Sequence, residues 1–100
     1  MVYDKLVRDN IPEIIRQNGG KPKTRIAAPE EFWQKLKEKL REEVTEFLET
    51  ENIEELADIL EVIDAVCAFR QFDRNELSCV KTQKAKQRGT FIKRIILIES

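Results

Sequence analysis

Histidine is absent from this 100-residue chain, so neither a histidine-activated nucleophile nor a histidine-ligated zinc can be built within one copy. Cysteine is scarce. Cys67 and Cys79 lack metal-like spacing, Cys67 lies in an apolar run, and both read as reduced, mostly buried thiols of an intracellular, cytoplasmic protein. No apolar run approaches transmembrane length and no signal-peptide pattern occurs, so no membrane association is expected. Glycine and proline number three each, and no repeat, linker or low-complexity segment divides the chain. It reads as one domain over residues 1–100, or as a subunit whose core a partner completes.

What the chain has in quantity is charge. The charged residues make up 37% and the hydrophobic ones 41%, which suits helices with solvated faces and shared surfaces better than a long β-sandwich. The net charge of −1 hides a strong segregation. Residues 1–29 carry six basic and three acidic groups, residues 30–64 four basic and thirteen acidic, and residues 77–98 six basic and none acidic. A metal–phosphate site needs both signs in this way, and so do solvated faces that pair loosely.

The order of elements follows from punctuation and periodicity. Val2 to Val7 is a short extended start, and Asn10-Ile11-Pro12 opens a first helix that stops at Gly19-Gly20. Lys23 to Ala27 reads as a short strand. Pro29 and Glu30 open a second helix running to about Thr50, with Phe32, Trp33, Leu36, Leu40, Val44, Phe47 and Leu48 on one apolar arc. Asn52 caps a third helix with Glu55 in capping-box position, and Asp73 caps a fourth that ends at Gly89. Thr90 to Ile98 is β-branched and reads as a strand able to pair with residues 23–27. The expected fold is mainly α, a helical hairpin or bundle with a small β element.

The informative stretch is Leu40 to Asp64. Glu43 falls inside the apolar arc of the second helix and Glu46 at its edge, whereas Glu42 lies off it. A core stripe normally excludes carboxylate, because burying an unpaired charge is costly. The third helix is apolar almost all round, as a helix buried between several neighbours would be, and its acids Glu54, Glu55, Asp58 and Glu61 share one sector. Asp58 lies past the first turn, beyond what capping explains, whereas Glu55 is partly accounted for by it. The break at 50–52 is short, so the two helices pack antiparallel and Glu43/Glu46 come level with Glu55/Asp58. Four carboxylates at one height repel without a cation. Either they form an all-oxygen cage for a divalent cation, or they solvate a groove and pair with the basic segments.

Glu42-Glu43-x-x-Glu46 followed by Glu55-x-x-Asp58 resembles the signature of the all-α nucleoside triphosphate pyrophosphohydrolases, the group of MazG-like proteins, dimeric dUTPases and phosphoribosyl-ATP pyrophosphohydrolase. Residues 3–12 (YDKLVRDNIP) and 88–95 (RGTFIKRI) are similar to a short MazG-related house-cleaning group, often labelled phosphoribosyl-ATP pyrophosphohydrolase-like. The resemblance implies one MazG-like domain that hydrolyses a nucleoside triphosphate, standard or not, between its α and β phosphates to a monophosphate and pyrophosphate. It implies Mg²⁺, with Mn²⁺ as a substitute, held by Glu43, Glu46, Glu55 and Asp58, with Glu42 positioning water beside Glu43 as a catalytic carboxylate. Lys5, Arg8, Lys84, Arg88 and Arg94 are the candidates for substrate phosphate contacts. Three features depart from the family: only eight residues separate Glu46 from Glu55, Asn10 stands where the short group usually has lysine, and the carboxy-terminal basic segment matches the MazG substrate-binding elements only loosely.

Family precedent and the apolar third helix together imply a homodimer or homotetramer. The competing readings are a non-catalytic helical interaction protein, a different Mg²⁺ phosphohydrolase, and a nucleic-acid binder using residues 81–94. The acidic centre and the single nearby aromatic, Phe91, argue against the last.

Overall fold

The computed structural model describes residues 4–100. The first two residues of the expected Val2–Val7 segment therefore lie outside the described residues, and residues 4–7 form neither helix nor strand. Four helices follow: α1 (Ile11–Gln17), α2 (Pro29–Thr50), α3 (Ile53–Arg70) and α4 (Arg74–Arg88). Among the described residues, no helix is long and apolar enough to cross a membrane.

The organising unit is the α2/α3 hairpin. Pro29 starts α2, where its fixed φ is helical and its missing N–H is one that no intrahelical carbonyl would have accepted. The helix ends where Glu51 turns left-handed at φ 57°, its N–H donating to the Phe47 carbonyl at 2.7 Å. Two residues later α3 has begun. The Asn52 side chain makes no cap bond; its own N–H donates instead to Thr50 Oγ1 at 3.3 Å. The return is antiparallel, because Phe69 near the end of α3 meets the start of α2. Its ring is edge-on to Phe32 (5.3 Å) and stacked on Trp33 (5.8 Å), with the Arg70 guanidinium 5.0 Å from the Trp33 ring.

The core is small. Leu36, Val62 and Cys67 are its buried hydrophobic side chains, and Glu43 is buried among them. Leu36 is 1% exposed, and removing so buried a leucine from water stabilises the fold by about 2 kcal/mol. The arc expected for α2 is divided, with Val44 and Leu48 exposed at its carboxy-terminal end. The all-round apolar α3 has α2 as its extensive helical neighbour, so Leu56 and Leu60 also remain exposed.

α1 breaks off at Gly19 (φ 87°), and Gly20 then passes over Ile15. A Cβ at Gly20 would sit 2.6 Å from Ile15 Cγ2, which fixes glycine there. At the other end Gln71 (φ 58°) terminates α3, Asp73 accepts a cap bond from the Asn75 N–H at 2.7 Å, and Arg74 pairs with Asp64. α4 then leads away with no buried residue. The radius of gyration is 17.8 Å, against about 13 Å for a compact chain of this length.

The expected β element does not form within one chain: among the described residues there is no strand. Residues 23–27 leave Ile26 96% exposed. Residues 90–98 are interrupted at a turn in which Arg94 (φ 55°) donates its N–H to the Phe91 carbonyl at 3.2 Å. The divergence of α4 leaves the two segments without each other, and an unpaired strand has no ladder to hold it.

Candidate metal and phosphate site

Two trios of carboxylates occupy the face where α2 meets α3. Glu42, Glu43 and Glu46 each bring an oxygen within 4.8 Å of the others, and Glu43, Glu55 and Asp58 do the same across the hairpin. Glu43 belongs to both. The five acidic residues singled out by the sequence are thus brought to one place, with Glu43 as the shared member rather than one of four equals.

Glu43 is also the one that folding treats most harshly. It is 6% exposed, and its Oε2 is buried without a hydrogen-bond partner, while Oε1 pairs with Lys39 Nζ at 3.2 Å. Burial pushes its carboxyl above the ordinary carboxylate range; Lys39 opposes this, and the nearby charges of Glu46 and Asp58 add to it. Glu42 goes the other way. Burial also pushes it up, but a 3.1 Å hydrogen bond from Lys5 and the Lys39 ammonium at 3.5 Å outweigh burial and hold it below its usual value. Two neighbouring glutamates therefore differ in proton affinity because of what faces them.

Asp58 accepts a 2.6 Å hydrogen bond from Arg8 Nη2, and Arg8 Nη1 lies 3.6 Å from Glu61. Glu55 is half-buried in the trio and makes no capping-box bond, since the Asn52 N–H goes to Thr50. Its capping role is thereby removed and its place among the acids kept.

A groove of about 540 Å³ opens between residues 6–14 and the hairpin, lined by apolar Leu6, Ile14 and Phe32 and by polar Arg8, Lys39 and Glu43. That volume suits a small organic ligand. A second hollow of about 510 Å³ at the α3–α4 junction is lined by Cys67, Ala68 and Phe72 and by Asp64 and Arg74, which are paired with each other.

Of the expected phosphate contacts, Lys5 and Arg8 reach the acidic site. Lys84, Arg88 and Arg94 do not, because α4 leads away from the hairpin and none of the three makes an ion pair among the described residues. Lys39 was missed by sequence reasoning. Its signal was present, since a lysine three and four residues before Glu42 and Glu43 shares their helix face. Neither cysteine is in a disulfide; Cys67 is buried, as its apolar run implied, and Cys79 is exposed.

The donor set fits a hard divalent cation: all oxygen, several carboxylates, and one buried oxygen with nothing to accept from. Glu43, together with Glu42 and Glu46 or with Glu55 and Asp58, would hold such an ion.

The chain is similar to an uncharacterized protein of Mycolicibacterium smegmatis, with 50% identity over 42 residues. That match covers 42% of this chain and 43% of the relative, so the chain spans less than half of the relative's length. No family model matches the chain, and no solved structure matches it.

Proposed function

We propose that the protein is a Mg²⁺-dependent nucleoside triphosphate pyrophosphohydrolase of the MazG-like kind. The observation that carries the reading is Glu43, a buried carboxylate with an unpartnered oxygen, shared by two acidic trios on facing helices. An unsatisfied buried carboxylate oxygen costs on the order of 1–3 kcal/mol, and a cation would offset that cost. When bound, the cation supplies charge neutralisation at the phosphate oxygens and acidifies a water.

The chain's own residues have separable parts. Glu42, held ionised beside Lys5 and Lys39, accepts the proton of the attacking water. Oxygen of that water bonds to the α phosphorus as the bridge to the β phosphate breaks, which gives a monophosphate and pyrophosphate. Arg8 and Lys5 stand at the rim of the acidic face, where a triphosphate would meet them. The apolar wall of Leu6, Ile14 and Phe32 is suited to a base. The same reading takes the protein as a cytoplasmic homo-oligomer, acting on a nucleotide and not on nucleic acid, in which residues 23–27 and 90–98 pair as a small β element.

Incubating the chain with a panel of nucleoside triphosphates and Mg²⁺ or Mn²⁺, and resolving the products by phosphorus NMR, tests this. Monophosphate plus pyrophosphate is expected, with Glu43→Gln lowering the rate on the order of 10²-fold or more. Orthophosphate would make it a different phosphohydrolase. The Arg8–Asp58 and Lys5–Glu42 pairs favour a second reading, in which the acids are satisfied internally and the protein is a non-catalytic interaction module. Calorimetry showing no Mg²⁺ or Mn²⁺ binding would decide for it.

A further inference from the structure

We propose that Glu61 is a positioning residue for Arg8: it takes the guanidinium over from Asp58 when Asp58 turns to a divalent cation, and so keeps Arg8 in the groove for the phosphates of a nucleotide. The inference rests on the cation reading of the acidic face, and adds to it a residue that neither acidic trio contains.

Glu55, Asp58 and Glu61 stand at successive three-residue steps along one face of α3. The first two join Glu43 within 4.8 Å, and Glu61 lies outside that trio. It sits about 4.5 Å further along the helix axis than Asp58, on the side away from Glu55. Arg8 spans the step. Its Nη2 donates to Asp58 at 2.6 Å, and its Nη1 is 3.6 Å from Glu61, close enough to pair by charge but too long for a hydrogen bond. One guanidinium thus meets one carboxylate that belongs to a trio and one that does not. All three side chains line the groove of about 540 Å³.

Charge decides where Arg8 goes once Asp58 is engaged. An Asp58 oxygen turned to a cation accepts less well from Arg8, and a guanidinium left in place would face a like charge. A move of less than about 1 Å brings Nη1 to hydrogen-bond distance from Glu61 and takes the positive charge away from the trio. The backbone does not have to follow. The Arg8 carbonyl accepts from the Ile11 N–H at 3.1 Å where α1 begins, and Asp4 is held by Arg25 at 3.0 Å and, through its carbonyl, by Lys35 at 2.8 Å. None of these bonds uses an acid of either trio. The side chains of Arg8 and Glu61 are 52% and 55% exposed, which leaves them free to turn and keeps the exchange small in energy. Without Glu61, Arg8 would leave Asp58 for water, and a phosphate would have to order its side chain anew.

The test reads Arg8 and the cation rather than turnover. In ¹⁵N-labelled protein, the guanidinium N–H signal that Arg8→Ala removes reports by its exchange with water whether Arg8 is held. That exchange should be slow in the wild type without Mg²⁺ and stay slow, at a shifted position, in saturating Mg²⁺. In Glu61→Gln it should be slow without Mg²⁺ and become as fast as that of a free arginine with it. Calorimetry gives a second readout. Glu61→Gln should weaken Mg²⁺ binding about three- to fivefold in the otherwise wild-type chain, and less than about 1.5-fold in the Arg8→Ala chain, where no guanidinium is left to hand over. A loss of equal size in both backgrounds would mean that Glu61 acts on the cation by charge alone, and overturns the proposal. So does an Arg8 signal that Mg²⁺ frees in the wild type, or that responds alike in the two chains. No heat on titrating Mg²⁺ into the wild type overturns the cation reading itself, and this inference with it; heat without the hand-over overturns this inference and leaves that reading standing.

Discussion

Glu43 and Asp58 carry the weight of the site at the scale of single residues, and each makes a prediction. Glu43 has its carboxyl raised by burial, so the fold holds that proton more tightly than the unfolded chain does. For an acid shifted upward, stability is lost as pH rises from the ordinary carboxylate value through the raised one. In the metal-free protein, Glu43→Gln should therefore be the more stable form at pH 7, by about 1 kcal/mol or roughly 4–8 °C in the melting midpoint, and lose that advantage below pH 4. Saturating Mg²⁺ should raise the midpoint of the wild type and leave the variant unmoved. Asp58 already has a cation, Arg8 at 2.6 Å, which an incoming metal must displace or share. Arg8→Ala should tighten Mg²⁺ binding about tenfold in calorimetry while raising KM for a nucleotide, because the same guanidinium has been taken from the phosphates. A parallel fall in both affinities would mean that Arg8 only holds the amino-terminal segment in place.

At the scale of elements, the amino-terminal segment is fastened to α2 by charge. Arg25 bridges Asp4 (3.0 Å) and Glu31 (2.5 and 2.8 Å), and Lys35 donates to the Asp4 carbonyl at 2.8 Å. The hydrogen bond from Arg25, with the Lys35 charge, lowers the Asp4 carboxyl, and the same guanidinium lowers Glu31. For acids shifted downward, the contribution is present above the ordinary values of 3.8 and 4.5 and is lost as pH falls through the depressed ones. The Arg25 Nε resonance should thus stay constant from pH 7 to 5 and move below about pH 4. Asp4→Asn should abolish part of that movement; an Arg25 resonance indifferent to pH would mean the fastening does not hold in solution. Helix limits were legible in the sequence because their causes are local: Pro29 starts α2, the short polar break ends it, and Asp73 caps α4 through Asn75. The acidic face was legible for the same reason, as spacing within two helices and one tight turn placed Glu43 beside Asp58. Residues 23–27 and 90–98 were not, since a strand is decided by a partner remote in sequence. Arg8 was named for phosphate, but its pairing with Asp58, fifty positions away, leaves no periodic trace.

For the whole molecule the decisive quantity is how little of its apolar surface one chain buries. Three buried hydrophobic side chains among the described residues and a radius of gyration of 17.8 Å describe a hairpin with appendages rather than a closed core. Such a chain draws part of its stability from association, and association obeys mass action. If unfolding and dissociation are one event, the melting midpoint must rise with protein concentration. A hundredfold increase adds about 2.7 kcal/mol per dimer, which for a pair of such chains is roughly 5–10 °C. A wild-type midpoint flat over that range would place its stability within the single hairpin, which then would have to stand on Leu36, Val62 and the Phe69 stack alone.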